Sequence, residues 1–359
     1  MKILVVTGAS GGHIFPALGF LDTLRNKRKD IETLLVLPKK SLENGIKISG
    51  YNVSYICVTS LKPGFVFTNF AAVFDLLKGA CQSFLILVSF KPDVVVGFGS
   101  LVSVPIVLFA WALRIKTLIH EQNVIPGRAN RFLGMFTDNI AVSFAQTKGY
   151  FKDYSRKIII TGNPLRGQLE PLEKNKALDF FRFNSGKTTI LVMGGSQGSR
   201  SINFGFLKAI AAMPEKKNLQ VIHLAGRADI DSLKDGYKDL NVDFRLFDFL
   251  EPMQYAYSAS DLVICRGGAT TIAEIILFRL PAIIIPYPFA YEHQTANARV
   301  LEEQGCGIII KDDELAGDSL NKRMREIINP DRLKEMRSCY NDRGHYNADD
   351  LLVEAVSSS

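Results

Sequence analysis

Two side chains have sequence surroundings suited to taking a proton. His13 closes the turn Gly8-Ala9-Ser10-Gly11-Gly12-His13, directly after the apolar run Ile3–Val6. At the start of a helix an imidazole meets the positive end of the dipole, which disfavours its protonated form. It could then accept a proton from a substrate hydroxyl as a general base. The competing reading is a capping histidine that touches only backbone. Glu121 belongs to His120-Glu121-Gln122-Asn123, at the end of another strand-like run and ahead of Pro126-Gly127, Arg128 and Arg131. A carboxylate and a carboxamide at such an edge, Glu121 and Asn123, could orient sugar hydroxyls or an acceptor. For His120 and Gln122 a network that braces the loop is the preferred reading.

A second set of residues suits phosphate and sugar. Gly194-Gly195-Ser196-Gln197-Gly198-Ser199 follows the apolar run Thr189–Met193 and precedes a helical pattern. Free backbone N–H groups and the helix dipole favour anions there, and Ser196 adds a hydroxyl donor. The spacing fits neither GxxxxGK[ST] nor GxGxxG, so neither a P-loop nor a dinucleotide site is indicated. Cys265-Arg266-Gly267-Gly268-Ala269-Thr270-Thr271-Ile272-Ala273-Glu274 repeats the strand, glycine turn and helix start. Glu274 suits a vicinal diol, or is an ordinary first-turn acid favoured by the dipole. Arg166, in Thr161-Gly162-Asn163-Pro164-Leu165-Arg166, is either a diphosphate partner or a surface charge. His293 or Gln294 and Asn297 lie three or four residues apart, on one helical face where amides read sugar hydroxyls. Asp229-Ile230-Asp231 has the spacing of a metal-binding acid pair but no supporting acids, so a solvated loop and no metal are expected.

The elements that must hold these residues alternate. Ile3–Val6, Thr33–Leu37, Val53–Val58, Asp93–Val96, Lys116–His120, Asn139–Val142 and Ile158–Ile160 are short β-rich runs. Helix-like stretches between them include 16–26, 71–89 and 104–113. The pattern restarts with Thr189–Met193, Gln220–Leu224, Asp243–Phe247, Leu262–Cys265, Ala282–Ile285 and Gly307–Ile310, with helices expected over 202–212 and 269–278. Such alternation predicts an α/β chain with parallel sheets covered by helices on both faces. Ligands of such sheets bind outside the carboxyl ends of the strands, so two doubly wound domains with a cleft between them are expected.

At 359 residues the chain is long for one core and comfortable for two domains. A hydrophobic fraction of 47% with 22% charged residues excludes disorder. The net charge of +7 suits anionic partners: nucleotides, nucleic acid or acidic lipid headgroups. Five scattered cysteines without a CxxC pair read as reduced, mostly buried thiols. The apolar stretch 70–90 is interrupted by Asp75, Lys78 and Gln82, and 102–113 is shorter than the about 20 residues a span needs. No transmembrane helix is expected. Phe65, Phe67 and Phe70, near Lys62 and Lys78, form either an interfacial membrane patch or a packed helix face.

Together the segments SGGHIFPA, GFGSLVSVP, HEQN, TGNPLR, GGSQGS, CRGGATTIAE and HQTANA resemble, in order and over nearly the whole chain, the MurG family. These transferases move N-acetylglucosamine from UDP onto the lipid-linked muramyl-pentapeptide of peptidoglycan synthesis. The resemblance implies the GT-B fold, two Rossmann-like domains with an interdomain cleft. The first would span 1–163, joined by a C-terminal helix at about 338–356, and the second 164–337. Ser10, Gly11, Gly12 and Asn123 match positions contacting the donor sugar side or the acceptor, and Arg166 and Ser196 match positions near the diphosphate. Leu250 matches the position whose backbone reads uracil. Ala269, Thr270, Thr271, Ile272, Ala273 and Glu274 match the segment holding diphosphate and ribose, and His293, Gln294 and Asn297 the sugar-reading segment. His13 and Glu121 match proposed catalytic or acceptor-site positions. The first turn departs from the family in lacking a further glycine and a threonine, and the loop Arg266-Gly267-Gly268-Ala269 has glycine where serine is usual.

The reading that follows is an inverting, metal-independent transfer without cofactor; the resemblance does not settle the base, for which His13 is the first choice and Glu121 the second. The partners would be UDP-N-acetylglucosamine, the lipid-linked acceptor and an anionic membrane surface, with no nucleic acid. The location would be the cytoplasmic face of the cell membrane, held peripherally. The rival functions are a GT-B transferase for another lipid acceptor, a UDP-sugar epimerase, and a non-catalytic UDP-sugar-binding membrane partner.

Overall fold

The computed structural model describes residues 1–39, 48–58, 68–166, 169–195, 197–290, 292–340 and 347–358, without the side chains of 68–73 and 358. The chain divides into two compact units. One is Met1–Gly167 with Gly344–Ser359, the other Gln168–Arg343.

The first unit runs β1 (Lys2–Val6), α1 (Gly11–Lys27), β2 (Glu32–Pro38), β3 (Val53–Ile56), α2 (Thr68–Phe90), β4 (Val94–Gly97), α3 (Ser103–Ala112), β5 (Lys116–Glu121), α4 (Arg128–Leu133), β6 (Asn139–Val142) and β7 (Ile158–Ile160). The strands form one parallel sheet in the order β3-β2-β1-β4-β5-β6-β7. Ile3, Leu4, Val5 and Val6 are all buried, because helices cover both faces of a parallel sheet. Successive side chains point to opposite faces. Ile3 and Val5 pack among Ile14, Phe20 and Leu24 of α1, while Leu4 and Val6 pack among Leu87, Ile106 and Val107.

The second unit runs α5 (Lys174–Phe181), β8 (Thr188–Met193), α6 (Arg200–Ala211), β9 (Leu219–Leu224), α7 (Ile230–Tyr237), β10 (Asp243–Phe247), α8 (Met253–Ala259), β11 (Leu262–Cys265), α9 (Ala269–Phe278), β12 (Ala282–Ile284), α10 (His293–Glu303), β13 (Gly307–Ile309), α11 (Ser319–Ile327) and α12 (Pro330–Ser338). Its sheet is parallel in the order β10-β9-β8-β11-β12-β13. The last helix, α13 (Ala348–Ser358), belongs to the first unit. Its Leu352, Val353 and Val356 pack in the same core as Phe20 and Leu24 of α1.

Residues 164–166 stay with the first unit for local reasons. Leu165 N–H donates to Asp349 Oδ2 of α13 at 3.4 Å, and the Arg166 guanidinium lies 4.4 Å from the centre of the Phe15 ring on α1. Gly19 permits this approach, since a Cβ there would overlap the Leu165 carbonyl. At the other end of the second unit, Tyr340 Oη donates to Leu280 O at 2.6 Å.

Strand order reverses between β1 and β4, and again between β8 and β11. Loops leaving the carboxyl ends diverge at such points and open a crevice. Both glycine turns singled out in the sequence follow the strand at a reversal. Of the cysteines, Cys265 and Cys306 are buried, Cys57 and Cys339 half-buried, and Cys81 is exposed on α2, so packing accounts for two. Among the described residues no helix is long and apolar enough to cross a membrane.

Candidate active site

In the first unit the turn after β1 meets the loop after β4. A Cβ on Gly8 would lie 2.7 Å from Ser100 Cβ and 3.0 Å from His13 Cδ2, so glycine is what lets the three come together. Ser10 caps α1 through its backbone carbonyl, which accepts from His13 and Ile14 N–H at 3.0 Å each. Its hydroxyl makes no cap bond and stays at the exposed surface. Gly11 is buried, and Gly12 is exposed with open space where a side chain would project. The helix therefore begins at Gly11, earlier than the stretch from residue 16 read in the sequence, and His13 lies in its first turn. Burial lowers the His13 pKa, against the charge of Glu121 and hydrogen bonding from Gly12 and Gln122. The imidazole is thus held in the neutral form a base requires. Its Nδ1 is enclosed and has no partner.

The end of β5 is a network. Glu121 Oε1 accepts from the Asn123 backbone N–H at 2.9 Å and Nδ2 at 3.3 Å, and Oε2 from Gly127 N–H at 3.0 Å and Asn130 Nδ2 at 2.8 Å. Both oxygens of this buried carboxylate are committed to holding the loop that leads into α4. The His120 ring lies against Phe98, tilted by 33° with ring centres 5.2 Å apart, and its Nε2 is 3.0 Å from Gly162 O. Burial pushes its pKa down to about 4. Gln122 Nε2 reaches His120 Nδ1 and His120 O, both at 3.1 Å. His120 and Gln122 are braces, as the sequence suggested, and Glu121 joins them.

In the second unit the turn after β8 is built by backbone contact. A Cβ on Gly198, at φ +78°, would overlap the Ala225 carbonyl, and one on Gly226 would come within 2.5 Å of Gln197 O. Ser199 caps α6, its hydroxyl accepting from Ile202 N–H at 3.5 Å. Ser196 lies outside the described residues.

The turn after β11 leads into α9, capped by Gly268. Ala269, Ile272 and Ala273 are buried, and Thr270 and Thr271 partly so. Thr270 Oγ1 is enclosed without a partner at the head of this helix. Glu274 is buried, its Oε2 accepting the Tyr257 hydroxyl at 2.7 Å. The Leu250 side chain is buried beyond β10. His293 begins α10. Gln294 Oε1 accepts from Gly267 N–H at 3.1 Å and Tyr287 N–H at 2.9 Å. Asn297 is fully buried and donates to Gly267 O at 3.1 Å, so it braces the turn from behind.

Two residues carry more than the sequence disclosed. Arg266 is buried and donates to Asp312 Oδ1 at 2.5 Å, Ser199 Oγ at 2.6 Å, Ser201 Oγ at 2.8 Å and Ile285 O at 3.1 Å. One guanidinium thus ties together the loops after β8, β11 and β12. An arginine between a buried strand and two glycines was the available signal. Asp229 is the second: it is buried, accepting from Asn203 Nδ2 at 2.9 Å, so the expectation of a solvated loop fails for it. Among the described residues no group of three His, Cys, Asp or Glu could hold a metal ion.

Comparison with known proteins agrees over the whole chain. Residues 3–142 match the glycosyltransferase family 28 N-terminal domain and 189–352 its C-terminal domain. A protein of Halothermothrix orenii named UDP-N-acetylglucosamine--N-acetylmuramyl-(pentapeptide) pyrophosphoryl-undecaprenol N-acetylglucosamine transferase is 37% identical, covering 100% of this chain and 99% of that protein. The crystal structure of Acinetobacter baumannii MurG superposes with a TM-score of 0.80 at 25% identity, over 100% of this chain and 99% of that one. A UDP-GlcNAc 2-epimerase of Neisseria meningitidis, at 15% identity and a TM-score of 0.64 with both chains fully covered, shares the fold.

Proposed function

This chain belongs to glycosyltransferase family 28, in its MurG branch, and we propose that it moves N-acetylglucosamine from UDP to a lipid-linked muramyl-pentapeptide with inversion. The observation that carries the donor half is Thr270. An enclosed, unpartnered hydroxyl at the N-terminus of α9 is a donor awaiting an anion, beside the first N–H groups of that helix, which have no acceptor within it. Glu274, one turn further and oriented by Tyr257, suits the ribose diol. With its carbonyl oxygen committed to Gly267 and Tyr287, Gln294 presents its NH2 end to the sugar. Leu250 contributes through its backbone to the base, and His293 to the sugar segment.

The acceptor half belongs to the first unit. The acceptor hydroxyl oxygen attacks the anomeric carbon as its proton passes to the neutral His13 imidazole. The bond from that carbon to the UDP oxygen breaks, and UDP leaves with the electron pair. Charge growing on the diphosphate is met by the N–H groups of α9 and of the glycine turn after β8. Glu121 acts here as the anchor of its loop rather than as a second base. Ser10, Gly11, Gly12 and Asn123 line the acceptor side.

Contact with an anionic membrane is supported by the first unit's surface. Phe74 (68% exposed), Leu77 (63%) and Leu85 (64%) project from α2, beside exposed Lys78. Trp111 is also exposed and packs edge-on against Phe136, with exposed Arg114 and Arg131 nearby in sequence. Phe65, Phe67 and Lys62 lie outside the described residues, as does the Phe70 side chain.

The test is UDP release from UDP-N-acetylglucosamine with and without the lipid-linked acceptor, in chelator. Acceptor-dependent release that survives chelation is expected. Turnover without acceptor would favour an epimerase, and no release in either arm a binding protein.

A further inference from the structure

Gln122 has one end of its carboxamide fully determined and the other unsatisfied. Its Nε2 lies 3.1 Å from His120 O, 3.1 Å from His120 Nδ1 and 3.4 Å from Phe98 O. Two of these are carbonyls, which only accept, so the NH2 group must face them. The third follows from His120, whose Nε2 is 3.0 Å from the Gly162 carbonyl and must carry the proton there. Nδ1 of His120 is then a lone pair, and it too requires a donor from Gln122. Turning the amide over would set oxygen against three acceptors. The orientation is therefore chemically fixed, with Oε1 pointing away from His120.

That oxygen is buried and has no partner. His13 Nδ1 is also buried and has none. The Gly12 backbone and, after it, the Gln122 side chain lie close enough to the His13 imidazole to raise its pKa. One orphan can only accept, and the other can donate if it carries the imidazole's single proton. Leaving both unmade costs desolvation twice over, whereas joining them satisfies both.

We infer that Gln122 is the positioning residue of His13: its Oε1 accepts the Nδ1 proton, which leaves the Nε2 lone pair for the acceptor hydroxyl. The relay runs from Gly162 O through His120 and Gln122 to His13, and each member's tautomer or orientation is set by the one before it. His120 stays singly protonated because burial holds its pKa near 4. This inference rests on the reading of His13 as base. The charged group that bears on the imidazole is Glu121 from β5; His120 reaches it only through Gln122, and Arg166 lies over the ring of Phe15 on α1. The loop after β4 brings Phe98 and Ser100, which carry no charge.

The first test is the tautomer itself. The chain has five histidines, and nitrogen-15 spectra of the labelled full chain, assigned with His13→Ala, report which ring nitrogen of His13 is protonated. A protonated Nδ1 is expected, and a protonated Nε2 overturns the inference. The second is kinetic. Gln122→Met keeps the volume and removes the acceptor, so kcat should fall about tenfold or more with the donor KM unchanged. Gln122→Met should also move the acid limb of the kcat profile to lower pH, because the Gln122 contact raises the His13 pKa, whereas Gln122→Glu, which sets an oxygen against the three acceptors the NH2 group now faces, should not restore kcat. A residue that only packs would change melting temperature and leave that limb in place. Wild-type kcat and pH profile in both folded variants would overturn the proposal. If His13→Ala retained full activity, the base reading itself would fall. An inactive His13→Ala beside a fully active Gln122→Met would overturn only the role of Gln122.

Discussion

Asn130 Nδ2 donates to Glu121 Oε2 at 2.8 Å, joining α4 to the end of β5 where both residues are only 2% exposed. Gly127 N–H shares the same oxygen, and Asn123 occupies the other. Removing the carboxylate therefore orphans four donors at once. Glu121→Ala should lower unfolding free energy by about 2–4 kcal/mol, measured by urea denaturation. A surface carboxylate serving only as a base would cost almost nothing there.

His13 makes the opposite trade. His13→Ala removes a base, so kcat should fall about 100-fold or more with little change in stability. In the wild type, protonation of the imidazole removes the accepting lone pair. Burial lowers its pKa, so activity should persist to a pH below the ordinary histidine value and fall on further acidification. A kcat profile in acid checks both the sign and its loss of meaning in the variant.

Thr270→Val separates binding from stability. The enclosed hydroxyl has no protein partner, so replacing it with a methyl group should leave melting unchanged or slightly raised. The donor KM should rise about tenfold through loss of one hydrogen bond to charge. Calorimetric titration with UDP checks the same quantity without turnover.

Gly198→Ala tests the backbone cradle. Its φ of +78° is left-handed, and the added methyl group would strike the Ala225 carbonyl. Strain of about 1–3 kcal/mol is expected, with weakened UDP binding and a lower melting temperature. Unchanged UDP affinity would show that the turn lies away from the diphosphate.

Asp349 gives the first unit a pH dependence. Burial raises its pKa to about 7, from 3.8 when exposed, against a weak pull from Leu165 N–H. The folded state therefore holds a proton that the unfolded state releases. Its stabilising effect is complete below about pH 4 and is lost as pH rises through about 7. Asp349→Asn should abolish that decline, raising the melting temperature at alkaline pH and leaving it nearly unchanged in acid.

Much of the fold was legible because parallel strands buried on both faces read as unbroken apolar runs, such as Leu191-Val192-Met193 and Leu262-Val263-Ile264. The glycine turns were legible too, since few other residues tolerate backbone packed on backbone. What stayed hidden was direction. Spacing put Gln294 and Asn297 on one face of α10, but not that Asn297 looks inward at Gly267. Nor does a motif disclose whether a carboxylate is already spoken for, as Glu121 is. Arg266 escaped because its partners Ser199, Ser201 and Asp312 are far from it in sequence. Asp229 misled for the reverse reason: Asn203, which holds it, is on another helix.

The core of the first unit contains Phe20 and Leu24 from α1 and Leu352 and Val356 from α13. During synthesis the ribosome produces all of residues 168–343 between these two helices. The apolar flank of α1 must therefore wait uncovered while the second unit, continuous in sequence, can fold as it emerges. Translation order makes the second unit the earlier of the two to mature.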